Sequence, residues 1–255
     1  LNKEYEAALE KPAVVPPLIM NYQPLAHGPN LYWMTRGEAD QERIVSHTNA
    51  VRDVARTSEM PLAKKILGNR AINLEAYEQA AAGETVTHEF GHTVLSTRDS
   101  RVKARVGSGN EQSVIEELKA VTGSMHLIDR ALKQGNLPPK IDPEVQLIAK
   151  IGTTASYFVS KSDVVGSSGE RYYYSGVAVY DRLFSKGLLN PNGDGTYKLG
   201  DTNQCIEAIG EIGHEIMEMY ASDSTTPEAI KGFIENLRVR KNTPEMQAFI
   251  AALKK

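Results

Sequence analysis

Apolar residues recur every three or four positions through most of the chain, the period of a helix with one buried face. Tyr173, Gly176, Val177, Tyr180, Leu183 and Phe184 follow that spacing and predict a helix that Gly187 stops. Leu118, Val121 and Met125 form the inward stripe of a helix expected over about 112–134, ahead of Gly135 and Pro138-Pro139. Ile206, Ile209, Ile216 and Met219 mark another. Residues 38–67, with a break at Pro61, 72–83 and 84–96 also read as helical. Asp142-Pro143, Thr226-Pro227 and Thr243-Pro244 each put a capping side chain before a proline at a first helical position.

The polar intervals read differently. Residues 11–30 are proline-rich and predict an extended arm. Residues 97–112, "TRDSRVKARVGSGNEQ", predict a connecting loop, and 162–170, "SDVVGSSGE", a mobile loop bordering a cleft. Residues 190–199 hold a turn with a short strand at most. The expected fold class is mainly α (α+β, with minor β). The expected organisation is an N-terminal arm and helical segment over 1–83, a core over 84–165, and a C-terminal helical part over 166–255 that completes the same domain.

Composition narrows the function classes. A chain of 255 residues can bury a sizeable core. A net charge of -3 gives no basic excess for nucleic acid. No apolar run reaches the ~20 residues that span a bilayer, so no membrane is expected as a partner. No basic-then-apolar leader opens the sequence. Cys205 is the single cysteine, which rules out an internal disulfide and a cysteine-rich zinc site. A reducing, cytoplasmic setting is the expectation.

One pentapeptide carries chemistry: His88-Glu89-Phe90-Gly91-His92. Residues four apart share a helix face, so both imidazoles can meet one zinc ion, with Glu89 beside them as general base. Zinc also needs a third protein ligand. A metzincin would continue with glycine and histidine where this chain has Leu95 and Arg98, so that solution is excluded. A glutamate from a following helix is the alternative, and Glu116 and Glu117 stand 24 and 25 positions after His92. Glu117 shares a row with Ala120 and Ser124, small residues that allow a neighbouring helix close, whereas Glu116 points to a more solvated edge. The paired acids are also explicable as N-terminal charge favoured by a helix dipole.

For the oxyanion of a hydrolytic intermediate the candidates are Tyr172, Tyr173 and Tyr174, Tyr173 first, though packing explains any one of them as well. His126 reads as structural and His214 as part of a solvated face. Arg98, Arg101, Lys103 and Arg105 read as a solvated loop, with a clamp on a substrate carboxylate as the alternative. Cys205 falls on an apolar face and is expected to be buried.

Taken in series, "HEFGH", "EELKAVTG" and the segment 172–199 resemble the motifs of the dipeptidyl peptidase III family of zinc peptidases, in the gluzincin group. The resemblance covers roughly residues 70–240. It implies a zincin-like helical catalytic domain with His88, His92 and Glu117 as zinc ligands, Glu89 as general base, and peptides as substrates. The implied activity is that of a zinc metallopeptidase, oligopeptidase or dipeptidyl-peptidase-like. The chain departs from the family pattern in a five-residue motif where six is usual, in Val121 where an acid is usual, and in length. Those departures keep open a catalytically weak relative that binds or regulates. Thimet-type oligopeptidases, which share "HEFGH" and a glutamate at similar spacing, are the second resemblance.

Overall fold

In the computed structural model the described residues are 18–21, 37–38, 43–46, 48–68, 72–97 and 99–255. Three short strands, β1 (Leu18–Asn21), β2 (Gly37–Glu38) and β3 (Arg43–Ser46), form a sheet in the order β1-β3-β2. β1 runs parallel to β3 with Leu18 opposite Arg43, and β2 runs antiparallel to β3. Apart from β1, the expected proline-rich arm lies outside the described residues.

The rest is helical: α1 (Thr48–Val54), a π-helical turn (Ala55–Glu59), α2 (Met60–Leu67), α3 (Leu74–Thr93), α4 (Ser100–Val106), α5 (Asn110–Lys133), α6 (Pro143–Ser160), α7 (Glu170–Ser185), α8 (Thr202–Ala221), α9 (Pro227–Arg240) and α10 (Pro244–Lys254). A hairpin of β4 (Leu189–Pro191) and β5 (Tyr197–Leu199) lies between α7 and α8. The mainly helical expectation therefore holds. The three proline starts hold as well: Asp142, Thr226 and Thr243 accept from backbone N–H groups in the first turns of α6, α9 and α10.

Three local expectations need correcting. Pro61 does not break its helix. The turn before it is widened, with Met60 N–H donating to Ala55 O, and the chain continues into α2 with its N–H-less proline near the start. Residues 43–46 are strand β3, not helix. The segment 97–112 is no simple loop, because it contains α4. Asp99 caps that helix by accepting from Arg101 N–H, and Val102 and Val106, four apart, are its buried face against α8. Two inward valines among four polar neighbours are a thin signal beside so much charge.

α5 is the central element, packed on α3, α7, α8 and α9. Thirteen of its residues are buried, Leu118 and Met125 completely. α8 comes close because it carries glycine at the contact: a Cβ on Gly213 would stand 3.2 Å from the Thr122 carbonyl carbon. One main core runs from Ile66 to Leu253, with Phe158, Tyr180, Phe184 and Phe249 linked by ring contacts. Tyr180 resolves its buried hydroxyl by donating to Ile151 O at 2.7 Å. Cys205 is fully buried in the same core. No described helix is long and apolar enough to cross a membrane.

Candidate metal centre

The site grows from the contact between α3 and α5. Asn73 caps α3 by accepting from Ala76 N–H, and the helix runs through Gly83 without interruption to Thr93. The two helices run antiparallel: Glu84 meets Ser124 near one end of the contact, and Val94 O meets Lys119 near the other. Between these points the backbones nearly touch at Gly91, where a Cβ would stand 2.9 Å from Ala120 Cα. That separation is closer than real Cβ atoms tolerate, so the motif's glycine and the small Ala120 set how near the histidines come to α5.

His88 and His92 point their Nε2 atoms toward each other at 3.3 Å. Glu117 Oε2 lies 3.4 Å from His88 Nε2 and 3.8 Å from His92 Nε2. Ligands at 2.0–2.2 Å in a tetrahedron stand about 3.3–3.6 Å apart, so three corners of such a site are nearly laid out. The chemistry of the atoms fits as well. Two nitrogen lone pairs and a carboxylate oxygen converge, and Glu117 Oε2 is buried without a hydrogen-bond partner. Buried polar atoms are rarely left so. A divalent cation between the three would satisfy all of them. Among the described residues this is the one His/Cys/Asp/Glu group with such convergence.

Charge accounts for the protonation of the cluster. Burial works against a charged His88, but the adjoining Glu117 carboxylate, helped by Glu89, outweighs it and holds the His88 pKa above its usual value. Burial likewise works against an ionised Glu117, yet His88, His92 and Arg171 together keep its pKa below the ordinary carboxylate range. A proton on His88 thus does part of what a cation would do.

Glu116 is not at a solvated edge. It turns to the other side of His92, with Oε1 3.3 Å from His92 Nδ1, and also faces Lys119 Nζ at 3.0 Å. Tyr220 OH on α8 donates to its Oε2 at 2.8 Å. With Nδ1–H donating to this carboxylate, the His92 Nε2 lone pair is the one aimed at the cluster. Lys119 is completely buried, donates to Val94 O at 2.7 Å, and lies over the Tyr220 ring. The glutamate pair therefore divides between two jobs, one oxygen among the histidine Nε2 atoms and one carboxylate behind His92. At Val121 the backbone carbonyl accepts from Lys150, which also pairs with Glu84 one turn before His88 on α3. That ammonium ties α3, α5 and α6 together beneath the cluster.

The remaining sequence candidates separate clearly. Tyr173 packs edge-on against Phe158 in the core and is nearly fully buried. The tyrosine beside the cluster is Tyr172; burial and the nearby Glu117 carboxylate raise its pKa. Arg171, which sequence reasoning passed over, lies at the cluster with Nε 3.4 Å from Glu117 Oε1. Its position directly after the predicted loop 162–170 was the available signal. In the described part of the basic stretch 98–105, Arg101 pairs with Asp99, and Arg105 with Asp223 and Tyr220 O. His126 is buried as expected, but His214 stacks on it, with ring centroids 5.4 Å apart.

The structure of DPP III from Caldithrix abyssi superposes with a TM-score of 0.61 over 83% of this chain and 39% of that one, at 18% sequence identity. The structure of dipeptidyl-peptidase III from Corallococcus sp. strain EGB gives 0.58 over 86% and 40%, at 13% identity. The chain has a DPP III-like fold. It spans about two fifths of the length of these structures. No protein-family model and no curated protein sequence matches it. At such identities the DPP III-like fold is what the likeness establishes, and the side-chain chemistry rests on the geometry above.

Proposed function

We propose that the chain is a zinc-dependent peptidase that hydrolyses short peptides. The observation that carries this reading is the convergence of His88 Nε2, His92 Nε2 and the unpartnered Glu117 Oε2 on one point, within a DPP III-like fold. These three residues would hold the ion, and Glu116 would fix His92 from behind. Zinc bound there supplies Lewis acidity toward a peptide carbonyl and toward water. Glu89, next to His88 on α3 and half-buried, is the group to take a proton from the attacking water and deliver it to the leaving amine nitrogen. Water thus adds across the C–N bond, and one new acid and one new amine result.

A second reading is a catalytically weak relative that uses the same fold for binding or regulation. It draws on the five-residue motif and on Val121 where an acid is usual. Glu89 argues against it, since a binder needs no base. The experiment is a panel of fluorogenic peptides with free and blocked amino termini, assayed with the zinc-loaded protein and its Glu89→Gln variant. The peptidase reading predicts turnover that falls by ~10²-fold or more in the variant, with zinc retained. Turnover that survives Glu89→Gln contradicts the assigned base. A zinc-loaded protein that cleaves nothing leaves the binding reading standing.

A further inference from the structure

The guanidinium of Arg171 sits beside the metal cluster without belonging to it. Its Nε is 3.4 Å from Glu117 Oε1, while the other oxygen of the same carboxylate faces the two histidines. The side chain is 38% exposed, so the cation reaches both the cluster and solvent. Its Nε is nevertheless buried and lacks a hydrogen-bond partner. Arg238 provides the contrast. Its guanidinium pairs with Glu170 at 2.6 Å and Glu235 at 2.5 Å, and its side chain is 14% exposed. Arg238 is committed to structure. The Nε of Arg238 is likewise buried and unpartnered, so what sets Arg171 apart is its more exposed side chain and its looser 3.4 Å carboxylate contact.

Local structure aims it there. Glu170 at the start of α7 is fully buried and accepts from Arg238, Asn110 and the Gly166 N–H, which pins the residue before Arg171. The Tyr172 ring lies 5.2 Å from the guanidinium carbon. The cation is thus held between an aromatic face and a carboxylate.

We infer that Arg171 is a catalytic residue of the proposed peptidase, its guanidinium stabilising the negative charge that develops on the scissile carbonyl oxygen. This rests on the peptidase reading and assigns a role that reading leaves open. Proximity decides between this oxygen and a substrate carboxylate. Arg171 is one carboxylate's width from the point where His88, His92 and Glu117 converge, so the substrate atom within its reach is the carbonyl being attacked. A terminal carboxylate lies at least one residue further along the peptide. Donors fixed before reaction, where charge will appear, are worth most when they need no rearrangement.

The test compares zinc-loaded wild type with Arg171→Ala and Arg171→Lys. It measures zinc content, kcat and KM on the best peptide of the panel, and calorimetric affinity for a phosphinic tripeptide analogue whose –PO2⁻–CH2– group replaces the scissile bond. The expected result is full zinc content, a ~10²–10³-fold loss in kcat with KM little changed, and a comparable loss in phosphinate affinity for Arg171→Ala. Arg171→Lys should recover part of both, as should free guanidinium added to Arg171→Ala. Wild-type kcat and phosphinate affinity in the alanine variant would overturn the assignment while leaving the peptidase reading intact. So would loss of zinc in that variant, which would mean that Arg171 only supports Glu117. Wild type that holds zinc but neither cleaves the panel nor binds the phosphinate would remove both the reading and the inference.

Discussion

α5 carries two histidine neighbourhoods, one at each half, and they are opposites. Near its start, Glu116 and Glu117 face His92 and His88, and Glu117, helped by Glu89, raises the His88 pKa despite burial. Nine positions after Glu117, His126 stacks on His214 of α8, and burial lowers its pKa to about 4, with His214, Arg130 and Lys133 adding repulsion. Both places bring two imidazoles together. Only the first adds a buried, unpartnered carboxylate oxygen facing both Nε2 atoms. A pair of histidines is therefore not a metal site in itself. The acid arriving from a second helix is what would make it one, and the surrounding sign of charge records the difference.

The most damaging change to this contrast is Glu117→Ala. Removing one of three protein ligands should weaken zinc binding by more than ~10²-fold in a competition titration. Glu116→Ala leaves the three converging atoms in place and loses only the hold on His92, so the same titration should show a loss of ~10–100-fold. Equal effects of the two, or a larger effect at Glu116, would reverse their roles.

A smaller effect is expected at the helix contact. Gly91→Ala puts a methyl group against the Ala120 backbone and should cost about 1–3 kcal/mol in chemical denaturation, because α3 must shift to relieve it. A variant as stable as wild type would show that the close approach is dispensable.

His126→Gln should leave zinc affinity unchanged and alter only the acid limb of the stability curve. The folded-state pKa of about 4 lies below the unfolded value, so the unfolded chain binds the extra proton first as pH falls. The contribution of a neutral His126 is fully present above pH ~6.5 and lost as pH drops toward 4, up to about 3 kcal/mol in all. The glutamine variant should flatten that part of the profile, measured as denaturant midpoint against pH. An unchanged profile would mean that His126 titrates normally.

Much of this was legible in the chain before any coordinates. Helix periodicity and the Asp-Pro and Thr-Pro starts depend on neighbours within one turn, so α6, α7, α9 and α10 could be read directly. The i, i+4 histidines and the small-residue row of Glu117 are equally local. What escaped depends on the packing of distant segments. The place of Glu116 is set by Tyr220, 104 residues away, and by a lysine whose burial no local pattern announces. The side of α7 that meets the cluster put Tyr172 there and Tyr173 in the core, a rotation of about 100° that periodicity alone leaves ambiguous. α4 was hidden by its charge.

The central claim is that His88, His92 and Glu117 form one metal site, and zinc titration of the metal-stripped chain against a chromogenic chelator tests it most directly. One equivalent should bind in the wild type, and His88→Ala, His92→Ala and Glu117→Ala should each abolish that equivalent while His126→Ala retains it. Failure of the wild type to compete for zinc, or undiminished binding after His88→Ala, would contradict the account.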